Sequence, residues 1–132
     1  MKIQVSTDYA VRILQYLHQS EDELHTASSI AEAIGITYPF FIKIANQLKK
    51  RKLIDSVQGR NGGYFLGRPA EEISLYDVFL SIEGELVISR CLGDGPCMGD
   101  RHKDCRLHDV FRNVQEKVIE ELSGQTIAKL AS

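Results

Sequence analysis

Three observations predict a mainly α-helical fold with one small β-hairpin and a long C-terminal helix. Apolar residues recur with helical spacing in successive segments. A turn rich in Gly and Asn separates two short extended runs between residues 53 and 67. A near-heptad apolar stripe runs from Leu107 to Leu122. With 132 residues, 43% hydrophobic and 26% charged, the chain has the mass and balance of one globular domain that buries a real core. No segment approaches the roughly 20 uninterrupted apolar residues of a membrane span. The opening MKIQVSTDYA has no apolar signal-peptide core, so a cytoplasmic protein is expected.

The first helix is expected over Ser6 to Leu17, where Ala10, Ile13, Leu14 and Leu17 fall at i, i+3, i+4 and i+7, with Ser6 and Thr7 available as caps. Acidic residues Glu21, Asp22 and Glu23 make a solvated loop. Thr26 then opens a short second helix carrying Ala27, Ile30, Ala31 and Ile34, and Gly35 stops it. Thr37 caps a third helix whose apolar face is Phe41, Ile44, Ala45 and Leu48. Pro39 sits in its first turn, where a missing N–H costs little. Its end, Lys49-Lys50-Arg51-Lys52, suits the negative pole of the helix dipole.

Residues 53–57 and 64–67 flank the turn Gln58-Gly59-Arg60-Asn61-Gly62-Gly63 and read as a hairpin. Ser74 and Asp77 fit a capping box for a helix through Val78, Phe79 and Ile82 to Gly84. Residues 91–105 hold too many Gly, Asp and Pro for regular structure. Beyond them Leu107, Val110, Phe111, Val114, Val118 and Leu122 mark the long helix, and Thr126 caps a short apolar turn from Ile127 to Leu130.

Two helices joined at Gly35-Ile36-Thr37, the second basic at its end, followed by a Gly-rich hairpin, compose a winged helix-turn-helix. The charge map agrees. The whole chain carries a formal −2, yet Thr37 to Arg68 holds Lys43, Lys49, Lys50, Arg51, Lys52, Arg60 and Arg68 against Asp55 alone, a local +6 offset by −8 elsewhere. Opposite the apolar face of the third helix lie Pro39, Lys43, Asn46 and Lys50, with Gln47 at the margin. Such a face can enter a DNA major groove, where Lys, Asn and Gln donate to base edges and phosphates. Tyr38, Pro39 and Lys43 near the helix start are expected closest to the bases. Lys49 to Lys52 are expected to hold phosphates, and Arg60 and Asn61 at the wing tip to reach an adjacent minor groove. A lone basic run is more often a solvated helix terminus; the wing reverses that reading.

Cys91, Cys97 and Cys105 are the only cysteines, and all fall within fifteen residues. An odd, clustered set in a cytoplasmic chain points to metal, cluster or redox chemistry rather than to a disulfide framework. Thiolates are soft donors suited to iron-sulfur clusters. Three cysteines with a histidine also satisfy tetrahedral zinc, although no close Cys pair of the commoner zinc spacing occurs. Oxidation closing Cys97 to Cys105 is a third reading. Nothing matches a Cys-x-x-Cys motif, a phosphate-binding loop or a nucleophile with its base, so an enzyme is not expected.

Ser6-Thr7-Asp8-Tyr9-Ala10-Val11-Arg12, the wing Gly59-Arg60-Asn61-Gly62-Gly63-Tyr64 with Leu66-Gly67-Arg68-Pro69, and the late cysteine trio together resemble the bacterial winged helix-turn-helix regulator family of IscR, NsrR and CymR. The resemblance spans essentially the whole chain. It implies homodimeric transcription factors whose long helix crosses its partner and many of which hold a 2Fe-2S or 4Fe-4S cluster. It also implies two candidates for a fourth ligand beside the cysteines. His108 completes the Cys-x2-His arrangement Cys105-Arg106-Leu107-His108 of IscR-like members. Asp8 matches an acidic residue that NsrR-like members bring from the partner subunit. His102 is a more remote candidate. Two departures stand out: Gln58 replaces the Arg that many members carry before the wing glycine, and the second cysteine gap has seven residues rather than five.

The expected organisation is a winged helix-turn-helix DNA-binding domain over 1–84, a sensor loop over 85–105 and a dimerisation helix with tail over 106–132. The expected function is a homodimeric regulator binding palindromic double-stranded DNA and sensing iron-sulfur status, nitric oxide or redox state. The alternatives are a zinc-binding or thiol-oxidising regulator without a cluster, and a winged-helix module that uses the basic patch to bind acidic protein.

Overall fold

The computed structural model describes residues 2–89, 92 and 106–131. Cys91, Cys97, Cys105 and His102 lie outside the described residues. Along the chain run α1 (Val5–Gln19), α2 (Ala27–Ile34), α3 (Tyr38–Lys50), β1 (Ile54–Val57), β2 (Gly63–Leu66), a 3-10 turn (Ala70–Glu72), α4 (Leu75–Glu83), α5 (Arg106–Gly124) and α6 (Ile127–Leu130). The fold is mainly helical with one antiparallel two-stranded hairpin and a long C-terminal helix, as the apolar spacing predicts.

Helix α1 is the centre of the core: Ala10, Ile13, Leu14 and Leu17 are buried and pack with Ile30 and Ala31 of α2, Phe41, Ile44, Ala45 and Leu48 of α3, and Val78 and Ile82 of α4. Full burial of each Ile, Leu, Val or Phe side chain among them stabilises by about 1.5–3 kcal/mol over leaving it in water. Ile127 of α6 is also fully buried in this cluster. The tail is tied back by backbone bonds from Ile127 N–H to Ile73 (2.9 Å) and from Leu75 N–H to the Gln125 carbonyl (2.7 Å).

One expectation fails at the first helix start. Neither Ser6 nor Thr7 caps α1; Gln4 is the N-cap and makes no side-chain cap bond. The Thr7 hydroxyl is buried and donates instead to Glu83 Oε2 (2.6 Å), while Gln4 N–H donates to Glu83 Oε1 (3.3 Å). A carboxylate from the last turn of α4 therefore serves the positive end of α1, which its charge favours. The other caps are as expected. Thr26 and Thr37 accept from Ser29 and Phe40 N–H, Ser74 and Asp77 close a reciprocal capping box, and Thr126 caps α6. Gly35 ends α2 at φ 84°, a left-handed conformation that glycine adopts without penalty.

Helix α3 ends differently. Lys52 N–H donates to the Lys49 carbonyl (2.9 Å) and Leu53 N–H to the Leu48 carbonyl (3.1 Å), with Leu48 and Leu53 both buried. This is a Schellman closure, whose left-handed position usually holds glycine; here Lys52 holds it at φ 60°. Because Leu53 spends its N–H on the helix, β1 begins at Ile54. The strands pair Ile54 with Leu66 through Val57 with Gly63. The wing tip is a turn in which Gly62 N–H donates to Gly59 (3.1 Å), leaving Arg60 and Asn61 at its centre. His25 bridges the outer side of β2, exchanging backbone bonds with Tyr64 of 3.2 and 2.7 Å. Gly63 sits so close to this bridge that an added Cβ would lie within 2.8–2.9 Å of His25 backbone atoms.

Helix α5 rests on α4 and extends about 28 Å at 1.5 Å per residue. None of its residues is buried; Leu107, Val110 and Val114 are 57%, 52% and 44% exposed. Gln115 Oε1 accepts from Ile88 N–H (3.0 Å), fastening the middle of α5 to the chain that follows α4.

Lys52→Gly relieves the left-handed strain after α3, which exceeds the extra chain entropy of glycine by about 0.5–1 kcal/mol. Thermal unfolding followed by circular dichroism is expected to show a midpoint a few degrees higher than wild type.

Candidate nucleic-acid interface

Phe41, Ile44, Ala45 and Leu48 are fully buried, so the orientation of α3 is set and its opposite face must meet solvent. On that face Pro39, Lys43, Asn46 and Lys50 are exposed, Tyr38 is 54% exposed and Gln47 is half-buried at the margin. The wing brings Arg60 and Asn61, both exposed, to the end of the hairpin. Helix and wing meet around one polar cleft of about 250 Å3, whose walls include Tyr38, Ser56, Gln58, Gly59 and Thr26 at the start of α2. The residues expected to face DNA are thus gathered on the surface formed by α3 and the hairpin.

The wing is fastened to α3 at two places. The Tyr64 ring meets Phe41 edge-on at 5.2 Å. Burial, with the neighbouring Tyr38 adding to it, pushes the Tyr64 phenol above its ordinary pKa. At the other end of the helix Lys49 Nζ donates to Ser56 Oγ at 2.8 Å. Strand alternation puts Ser56 on the same side as buried Ile54, towards α3. This engagement of Lys49 has no sign in the basic run, where it is indistinguishable from its exposed neighbours Lys50, Arg51 and Lys52. Arg68, counted with the basic segment, lies 3.8 Å from Asp77 at the start of α4, so its charge is answered locally. Val57, 49% exposed on the hairpin, also borders the cleft, and its exposure breaks the apolar-inward pattern from which strands are read.

The candidate cluster ligands fall apart within one chain. Asp8 is exposed in the first turn of α1, 3.5 Å from Arg12. It borders a largely apolar groove of about 180 Å3 lined by Ile3, Thr7, Val11, Leu75, Phe79 and Leu122. His108 lies in the first turn of α5, its side chain 15% exposed and its Nδ1 3.8 Å from Asp109. Leu122 is fourteen residues further along the same helix, or about 21 Å. The groove beside Asp8 and the His108 end therefore sit at opposite ends of α5.

Comparison with known proteins agrees with this architecture. Residues 3–132 match the family model Rrf2, described as an iron-dependent transcriptional regulator. The chain is 35% identical over 130 residues to protein aau3 of Rhizobium meliloti, covering 98% of this chain and 84% of that protein. It is 32% identical over 117 residues to the HTH-type transcriptional regulator IscR of Serratia proteamaculans, covering 88% and 69%. Among solved structures it resembles T. potens IscR, with a TM-score of 0.75, 25% identity and coverage of 98% and 85%. It also shares the fold of CymR, the global cysteine regulator of B. subtilis, at a TM-score of 0.80, 21% identity and coverage of 99% and 96%. No helix among the described residues is long and apolar enough to cross a membrane. With its winged helix-turn-helix, its exposed recognition face and a family match over nearly its full length, the chain belongs to the Rrf2 family of DNA-binding transcription regulators.

Proposed function

We propose that this regulator binds a palindromic operator as a homodimer and that residues 91–108 carry its sensor, an iron-sulfur cluster. The observation that carries the DNA reading is the shared surface of α3 and wing. Lys43, Asn46 and Lys50 face outward from the helix and Arg60 and Asn61 project from the wing. In the major groove Tyr38, Pro39, Lys43, Asn46 and Gln47 meet base edges, whereas Lys50 holds phosphate. Arg60 and Asn61 reach the flanking minor groove.

The dimer is supported by two apolar surfaces. The stripe Leu107, Val110 and Val114 in the first half of α5 is about half exposed, and the groove of Ile3, Val11, Leu75, Phe79 and Leu122 opens near the helix's other end. A partner's α5 crossing in a two-fold arrangement covers both, each chain's stripe lying in the other's groove. That crossing carries the start of the partner's α5 towards Asp8. To read a palindrome it must also set the two recognition helices about one turn of B-DNA apart, roughly 34 Å.

For the cluster, the donor set fits. Cys91, Cys97 and Cys105 supply three soft thiolates, and His108, sheltered at the start of α5, supplies a fourth, borderline donor three residues after Cys105. Asp8 of the partner is the alternative fourth ligand, though its carboxylate is already 3.5 Å from Arg12. A bound 2Fe-2S or 4Fe-4S cluster supplies sensitivity to oxidants, nitric oxide and iron supply. The chain's own part is to hold the loop ends: α4 through Glu83 at one side, and α5 through Gln115 at the other. Gain, loss or damage of the cluster would shift α5 against α4 and with it the spacing of the two recognition helices.

Three outcomes follow. In salt-titrated binding to a duplex enriched from a random pool, Lys50→Ala is expected to lower affinity and to reduce the slope of log K against log salt by about 0.9. Retention of the wild-type slope removes the phosphate role. Val114→Glu places a charge in the crossing stripe and is expected to give monomer mass in light scattering at micromolar concentration, where wild type gives the dimer. Anaerobically purified protein is expected to contain iron and sulfide and to absorb in the visible, His108→Ala lowering cluster occupancy more than Asp8→Ala does. Colourless protein with stoichiometric zinc assigns the cysteines to zinc instead, and metal-free protein removes both metal readings.

A further inference from the structure

Four consecutive basic residues close α3 and the turn after it, and electrostatics alone gives them one role, contact with the DNA backbone. Their geometry divides them. Lys50, Arg51 and Lys52 are exposed, but Lys49 is half-buried and its ammonium donates at 2.8 Å to Ser56 Oγ on β1. Ser56 is held in turn, its N–H donating to Asp55 Oδ1 at 2.8 Å. The hairpin also meets α3 through the Phe41–Tyr64 ring contact and through Ile54, which is buried in the same core cluster as Phe41, Ile44 and Leu48. Phe41 and Lys49 are eight residues apart, or about 12 Å along the helix. On the hairpin the two attachments fall on the cross-strand partners Ser56 and Tyr64, so the ring contact and the backbone bridge to His25 hold β2 while Lys49 alone adds a side-chain hydrogen bond that ties β1 to the far end of α3.

We propose that Lys49 is a positioning residue that sets the angle between recognition helix and wing, and so the distance from the major-groove face to Arg60 and Asn61, rather than a phosphate contact. This rests on the DNA-binding reading above, in which helix and wing must span adjacent grooves together. An exposed lysine gives affinity in proportion to the counterions it displaces. Lys49 gives affinity by limiting the wing's orientations before DNA arrives, since a wing that swings freely must be ordered at the moment of binding.

The test uses the full chain carrying Lys49→Met, Ser56→Ala, or both. Methionine retains most of the aliphatic stem and removes the ammonium, and the ring contact is untouched. Two quantities are read: backbone 15N order parameters of residues 58–62 in the free protein, and affinity for the enriched duplex as a function of salt. Each single change is expected to lower the wing order parameters from near 0.85 towards about 0.6. Each is also expected to weaken binding about threefold to tenfold while leaving the salt slope unchanged, and the double variant to match a single one because one contact has been removed. Unchanged wing order in both single variants overturns the proposal. So does a slope reduced by about 0.9 in Lys49→Met with a silent Ser56→Ala, which returns Lys49 to the phosphates. A wing that loosens as expected in a protein that enriches no duplex supports the clasp and refutes the DNA-binding reading, so the two failures are distinguishable.

Discussion

Burial of one face of α3 against α1 is the constraint on which the rest depends. Phe41, Ile44, Ala45 and Leu48 have no exposed surface, and they meet Ala10, Ile13, Leu14 and Leu17, which are equally inaccessible. A helix so held cannot rotate without opening a cavity, and close-packed interiors resist that strongly. The outward residues inherit this fixity, because a helix with one face fixed has its opposite face fixed as well. The hairpin then takes its place from α3 through Tyr64 and Ser56, and from the α1–α2 connection through the bridge to His25. The outward surface of helix and wing is in this sense a by-product of the core.

The helices were legible because their inward residues obey the 3.6-residue period and because their boundaries carry hydroxyl caps and glycine stops. Thr26, Gly35, Thr37, Ser74 and Thr126 all act where their chemistry says they should. The exception is instructive. Thr7 has the right side chain in the right neighbourhood, but a carboxylate 76 residues away recruits its hydroxyl. No local rule contains that partner. The same holds for Lys49, whose charge was plain but whose engagement depends on where β1 returns. The bridge from His25 to Tyr64 is invisible for a related reason: one pair of backbone bonds leaves no periodic trace.

The charge of the chain shows the reverse case, in which a sum conceals and a distribution informs. The −2 total reads as neutral, whereas the segment from Thr37 to Arg68 is strongly positive. The structure refines even that local figure, since Arg68 turns to Asp77 and Lys49 turns inward to Ser56. Five cations, Lys43, Lys50, Arg51, Lys52 and Arg60, remain exposed on the segment. The long helix was legible in a similar two-sided way. Its heptad stripe marks an apolar face, and only the structure tells that Leu107, Val110 and Val114 on that face stay exposed while Phe111, Val118 and Leu122 are half-buried.

Ile127 lies wholly inside the core that orients α3, yet it follows α5 in the chain. A ribosome making this protein therefore emits the DNA reader first and the side chain that completes its interior well after the cysteines. Until the chain end emerges, the Ile73 carbonyl and the Leu75 N–H lack their backbone partners, Ile127 and Gln125, and the interior has a gap the size of an isoleucine. Synthesis thus imposes an order: a nascent chain interrupted within residues 91–105 has no finished reader. Every copy whose core has closed already carries its full complement of thiols.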